Sequence, residues 1–191
     1  MTNALTLIAV GVKNEQNQSG GLTLLTKNKK LGLLLMSNLP LNLYIGIDPG
    51  KSGSIAFIKS DKDYNKELIT TIRFNNTESD VAWAFRDVLE EHTKCTLFAS
   101  IEKVNSMPGQ GVSSTFKFGQ WYGFARGLLY AYQIPFEFVT PSKWQKHLGC
   151  LTKGDKNITK DKAQRLFPKE KIIHATADAI LIAEYTRLVS F

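Results

Sequence analysis

Two acidic residues stand at the ends of short apolar segments that the sequence predicts to be β-strands. Asp48 follows the segment 44–47 (YIGI), and Glu102 follows 98–101 (FASI). If these strands are parallel neighbours, their ends lie roughly 5 Å apart and both carboxylates reach one point beyond the sheet. Two carboxylates at so short a distance repel each other unless a proton or a cation lies between them. Since Mg²⁺ prefers hard oxygen ligands, the pair predicts a divalent metal site.

A third acid, Asp178, opens the apolar segment 177–183 (ADAILIA). We expect a helix over 175–189 with Asp178 in its first turn, where an acid would also stabilise the helix dipole. Because the following residues are almost all apolar, this helix should pack against the sheet, and it could carry Asp178 to the edge that holds the other two acids. His174, four residues earlier, is a metal ligand, a proton carrier or a surface histidine.

The elements that must position these residues follow an α/β order. Apolar patterns predict strands at 43–48, 54–59, 68–74, 96–101 and 136–139, and helical patterns cover 81–91, 113–132, 141–148, 159–167 and 175–189. Three successive strands before the first helix imply an antiparallel edge on a parallel core. The sequence therefore predicts a mixed five-stranded sheet flanked by helices, in one domain that spans 43–191.

The predicted helix 113–132 is rich in aromatic residues and has glycines at every fourth position, Gly119, Gly123 and Gly127. The default interpretation of its aromatic residues is core packing. Small residues at this spacing let another backbone come close. These glycines could lie in a dimer interface, or they could let the helix pack closely against its own sheet.

Basic residues are concentrated in one part of the chain. The net charge is +7 and the pI is about 9.4, which favours an anionic partner. The segment 143–171 contains nine basic and three acidic residues, a net charge of +6 in 29 residues. This could be a solvated lysine-rich face, but such a concentration also predicts a surface that binds the phosphates of nucleic acid.

Residues 1–42 differ in composition from the rest, with many Asn, Gln, Gly, Ser and Thr residues. We expect a disordered extension, or a chain whose translation begins at Met36. The apolar run 31–36 is too short to cross a membrane, and no secretory signal is apparent. Cys95 and Cys150 match no zinc spacing and suit a reducing compartment, so we expect a cytoplasmic protein that is not bound to a membrane.

Four segments resemble RuvC-like Holliday junction resolvases in content and order: 45–50 (IGIDPG), 101–104 (IEKV), 139–144 (VTPSKW) and 177–183 (ADAILIA). The segments 107–114 (MPGQGVSS) and 116–119 (FKFG) resemble the phage and prophage branch in particular. The resemblance covers about residues 43–187. It implies an RNase H-like fold, a homodimer, and two Mg²⁺ ions per active site, with Mn²⁺ as the alternative. Each subunit would then cut one strand of a four-way or otherwise branched DNA junction.

By this resemblance, Asp48, Glu102 and Asp178 fall at the acidic positions of the family. They would hold two metal ions for phosphodiester hydrolysis, with Asp48 bridging the ions. Lysines near these acids would hold DNA phosphates, which fixes position without reading sequence. The candidates are Lys51, Lys103, Lys143, Lys146, Lys153, Lys156, Lys160 and Lys162.

Two positions depart from the family pattern. Cellular resolvases place a fourth acid or a histidine where this chain has Ala175, so His174 takes that catalytic role only if its helix starts early enough. The aromatic residue that probes the junction corresponds to Asn105. Met107 or Phe116 could wedge between bases instead.

Two other classes of function fit the same residues. One is a nucleic-acid-binding module without catalysis, which the basic segment supports. The other is an RNase H-like nuclease that acts on forks, flaps or RNA–DNA hybrids. Actin-like ATPases and sugar kinases also open with an Asp-Gly strand turn, but they need a duplicated domain for which 191 residues leave no room.

Overall fold

Five strands form one mixed sheet in the computed structural model, which describes residues 41–50, 52–61, 65–103 and 111–190. The strands are β1 (Leu41–Asp48), β2 (Ser54–Ser60), β3 (Lys66–Arg73), β4 (Cys95–Glu102) and β5 (Phe136–Val139). Their order in the sheet is β3-β2-β1-β4-β5. β1 to β3 form an antiparallel meander, and β4 and β5 continue the sheet in parallel with β1. The predicted fold class is therefore confirmed.

Helices cover both faces of the sheet. They are α1 (Glu78–Glu91), α2 (Val112–Ala131), α3 (Pro141–Leu148), α4 (Asn157–Leu166) and α5 (His174–Val189). α1 begins three residues before the predicted start because Thr77 and Asp80 form a capping box that satisfies the first backbone N–H groups. None of the helices in the described ranges is long and apolar enough to cross a membrane.

Strand β1 divides its side chains between two hydrophobic cores. Leu43, Ile45 and Ile47 are buried against α1 and α2, whereas Tyr44 belongs to the core beneath α3, α4 and α5. Because successive side chains of a strand alternate between faces, Asp48 points toward the same face as Tyr44. The same alternation in β4 places Ile101 in the first core and Glu102 on the face of α5.

The three glycines of α2 face away from the other residues that the structure describes. A Cβ added at Gly119, Gly123 or Gly127 would meet no atom of the described residues within 4 Å. They therefore do not let α2 pack closely on its own sheet, and a role of these glycines in a dimer interface stays a prediction. Phe116, one of the two residues that could wedge between bases, is 74% exposed.

Candidate active site

Asp48 and Glu102 emerge side by side from the sheet. In the parallel pairing of β1 with β4, Ile47 is the partner of Ile101. The next residue on each strand is the acid, so both carboxylates leave neighbouring strands at the same edge and on the same face. The condition on which the predicted metal site depended, that the two strands are parallel neighbours, is met.

Helix α5 brings the third acid to this edge because it rests directly on the backbone of β1. A Cβ added at Gly46 would overlap the backbone N of Ala183 and the backbone O of Ala179. Only glycine permits so close an approach of the helix to the strand. Because Asp178 is the residue before Ala179, this contact brings Asp178 to the same edge of the sheet. A second contact fixes the start of the helix, since Ser54 Oγ, on the residue paired with Asp48, donates to the carbonyl of Ala175 at 2.9 Å.

The first turn of α5 differs from the prediction. The helix begins at His174, so Asp178 lies in the second turn and the first turn contains no acid. Stabilisation of the helix dipole therefore does not explain Asp178. His174 is exposed and lies one turn before Asp178 on the same side of the helix, where its charge lowers the pKa of Asp178.

All three carboxyl groups have a raised pKa. Burial is the largest cause in each case, and it raises the pKa of Glu102 to about 7 with further increases from the charges of Asp48 and Asp178. The pKa of Asp48 is raised by burial and by Asp178, against the backbone N–H of Gly50, which donates to Oδ1 at 3.0 Å. The pKa of Asp178 is raised by burial, against the Thr159 hydroxyl. A cation placed among these groups would remove the repulsion.

The donor atoms suit a hydrated divalent cation. Oδ1 of Asp178 is buried and has no hydrogen-bond partner among the described residues. Within those residues, however, no group of three or more His, Cys, Asp or Glu side chains is arranged to hold a metal ion by itself. Mg²⁺ usually keeps several waters and binds through one or two carboxylates, so these acids fit its chemistry without forming a closed cage.

The charge of Lys156, the residue before α4, lowers the pKa of both Asp48 and Asp178, so this exposed lysine lies near these two acids. The other described candidates are exposed or half-buried. Lys103 directly follows β4, and the rest lie on α3, on α4 or between these helices: Lys143, Lys146, Lys153, Lys160 and Lys162. Lys51, Asn105 and Met107 lie outside the described residues, as do residues 1–40.

Trp144 is a site residue that the pattern of acids and lysines did not identify. Its indole Nε1 donates a hydrogen bond of 2.9 Å to Oε1 of Glu102. The segment 139–144 (VTPSKW) marked the start of a helix, since Pro141 occupies the first turn of α3. It carried no signal that the tryptophan would reach a carboxylate on another strand.

Comparison with known proteins yields structural similarity alone. No protein-family model matches the chain, and no curated protein matches it significantly. The structure of T. thermophilus RuvC in complex with Holliday junction substrate superposes with a TM-score of 0.55 and 14% identity, over 75% of this chain and 91% of that one. The chain has the RNase H-like fold of RuvC. A second Thermus thermophilus RuvC structure gives a TM-score of 0.50 at 14% identity, covering 75% and 92%.

The yeast mitochondrial Holliday junction resolvase Ydc2 is also similar, with a TM-score of 0.47, 16% identity, and coverage of 82% of this chain and 83% of that one. The RuvC structures carry the assignment of the fold, which agrees with the resemblance seen in the four sequence segments.

Proposed function

We propose that the protein is a divalent-metal-dependent endonuclease that resolves Holliday junctions. The observation that carries this proposal is the convergence of Asp48, Glu102 and Asp178 at one edge of a RuvC-type sheet. Burial raises the pKa of all three, and neighbouring acids raise that of Glu102 and Asp48 further, so the group favours a bound proton or cation. Oδ1 of Asp178, which has no hydrogen-bond partner among the described residues, offers a ligand atom. Burying three acids together without such a role would only destabilise the fold.

Each residue has a defined part in the hydrolysis. Asp48, Glu102 and Asp178 are the proposed ligands of two Mg²⁺ ions, with Mn²⁺ as the alternative. When bound, such ions supply a nucleophilic water at neutral pH and stabilise the leaving oxygen. Lys156, beside Asp48 and Asp178, is placed to hold a phosphate against the acids. His174, exposed one turn before Asp178, is placed to accept or deliver a proton at the edge of the site.

The proposed substrate is branched DNA, bound by a homodimer. The basic segment 143–171 supplies α3 and α4, which belong to the core on the face that carries the acids. Its lysines would follow the phosphates that flank the cut. The open glycines of α2 offer a surface on which a second copy could pack closely, so that each subunit cuts one strand. Phe116, exposed on α2, is available to contact unstacked bases.

Cleavage of matched DNA substrates tests the function. A four-way junction, a fork, a linear duplex and an RNA–DNA hybrid are incubated with the protein and Mg²⁺. We expect paired nicks in the junction, with no cleavage in EDTA. Asp178→Asn should lose cleavage by about 100-fold or more while junction binding persists. The matched control is Asp161→Asn, which alters an exposed acid of α4 and should leave cleavage unchanged. Normal cleavage by Asp178→Asn would refute the site, and preferential cutting of the fork or hybrid would change the substrate.

One observation favours a second candidate, a branched-DNA-binding protein without catalysis. Within the described residues the acids do not form a ready-made metal cluster. Tight binding of the junction with no cleavage in either Mg²⁺ or Mn²⁺ would select this alternative.

A further inference from the structure

Trp144 contacts Glu102 from the inside of the protein. The tryptophan is completely buried, and Nε1–H donates to Oε1 of Glu102 at 2.9 Å. An indole N–H is a donor only and needs a partner when it is buried. Glu102 supplies that partner, so one of its two carboxylate oxygens accepts a hydrogen bond from a residue of the core.

The position of Trp144 is fixed by the elements around it. The backbone N–H of Lys103, next to Glu102, donates to the carbonyl of Val139 at 2.7 Å, which fastens the end of β4 to the end of β5. α3 then starts at Pro141, two residues later. The ring packs into the core that also contains Val139 and α5. The donor therefore has little freedom to follow Glu102 if that side chain rotates.

We propose that Trp144 is a positioning residue that holds Oε1 of Glu102 and thereby orients Oε2 for the metal ion. This inference rests on the proposed nuclease function. A glutamate has three rotatable side-chain bonds, and a fixed hydrogen bond to one oxygen orients the other before the ion arrives. Donors of this kind behind a metal ligand typically change metal affinity or activity by about 10- to 100-fold when they are removed.

Two replacements separate the hydrogen bond from the packing. Trp144→Phe removes the N–H and some volume. Incorporation of 3-benzothienylalanine at position 144 removes the N–H but keeps the bicyclic shape, which protects the experiment if Trp144→Phe does not fold. The matched control is Trp121→Phe, since Trp121 stacks on Phe74 in the other core. Cleavage of a four-way junction is measured against Mg²⁺ concentration. We expect both replacements to raise the midpoint about tenfold or more, with junction binding in EDTA unchanged.

A second readout needs neither DNA nor activity. In ¹⁵N-labelled protein, the indole N–H resonance of Trp144 is assigned by its absence in Trp144→Phe and followed during a Mg²⁺ titration. We expect it to shift with Mg²⁺ and to move in Glu102→Gln, while the resonance of the exposed Trp83 stays in place.

Failure of the positioning role of Trp144 and failure of the nuclease proposal give different results. If the wild type cuts and the benzothienylalanine protein keeps its Mg²⁺ midpoint within about twofold, Trp144 has no positioning role and the nuclease stands. If the wild type never cuts but the Trp144 resonance follows Mg²⁺ and Glu102→Gln, the contact holds and the nuclease proposal falls. A Trp144 resonance that ignores both would overturn the positioning role.

Discussion

Replacement of Glu102 by Gln should make the metal-free protein more stable at alkaline pH. Burial and two neighbouring acids raise the pKa of Glu102 to about 7, from an ordinary value of 4.5. The folded protein therefore holds a proton that the unfolded chain releases near pH 4.5, and stability falls as the pH rises from about 4.5 through about 7. Glutamine carries no charge at any pH and keeps an oxygen that can accept from Trp144.

The size of the effect follows from the two pKa values. They differ by about 2.5, and at about 1.4 kcal/mol per pKa unit the ionisation of Glu102 costs the folded state up to roughly 3 kcal/mol above pH 7. A loss of about 1 kcal/mol lowers the Tm of a chain of this size by about 2–4 °C. At pH 5 about 0.8 kcal/mol of this cost is already present, so between pH 5 and pH 8 it grows by about 2.5 kcal/mol. Relative to wild type, Glu102→Gln should therefore gain about 5–10 °C more at pH 8 than at pH 5.

The assay is urea denaturation and thermal melting in EDTA at several pH values between 5 and 8. Glu137→Gln is the matched control, because Glu137 is an exposed acid on the neighbouring strand β5. Addition of Mg²⁺ should stabilise the wild type and leave Glu102→Gln almost unchanged. A stability difference between wild type and Glu102→Gln that is the same at pH 5 and pH 8 would refute the reasoning, because it would mean that Glu102 is not buried among acids.

Three further outcomes are expected. Cleavage at limiting Mg²⁺ should rise with pH through about 7, since Glu102 must lose its proton to bind a cation, and a flat profile would argue against that requirement. Lys156→Ala should weaken junction binding and reduce the slope of log affinity against log salt by about 1, measured by fluorescence anisotropy; an unchanged slope would remove the phosphate contact. Gly46→Ala should destabilise the fold by about 3 kcal/mol in urea, because its Cβ meets the backbone of α5; unchanged stability would contradict the packing.

Local patterns predicted the strands of the sheet well and placed Asp48 and Glu102 at the ends of two of them, whereas the catalytic roles of the acids stay predictions. The apolar runs that end at Asp48 and Glu102 are short because each strand stops where its side chains leave the core. β5 and α3 have the predicted bounds, since Pro141 marks the boundary between the alternating pattern of the strand and the helical pattern that follows. The start of α1 was predicted late, because its capping box, Thr77 with Asp80, lies in a polar stretch that reads as a loop.

Contacts between distant segments could not be predicted from the sequence. The overlap of Gly46 with α5 depends on which side of β1 the helix covers, and the bond from Trp144 to Glu102 joins residues 42 positions apart. The orientation of α2 was also undetermined, because a helix that is apolar on several faces does not reveal which one meets the sheet. The roles of His174 and of the predicted lysines stay predictions.

Crystals of the protein soaked with Mn²⁺ provide the most direct test of the metal centre, through the anomalous signal of the ion. We expect an anomalous peak in contact with Asp48 and with at least one of Glu102 and Asp178, and we expect the peak to be lost in Asp48→Asn. An ordered Mn²⁺ elsewhere, or none at a concentration that supports cleavage, would contradict it.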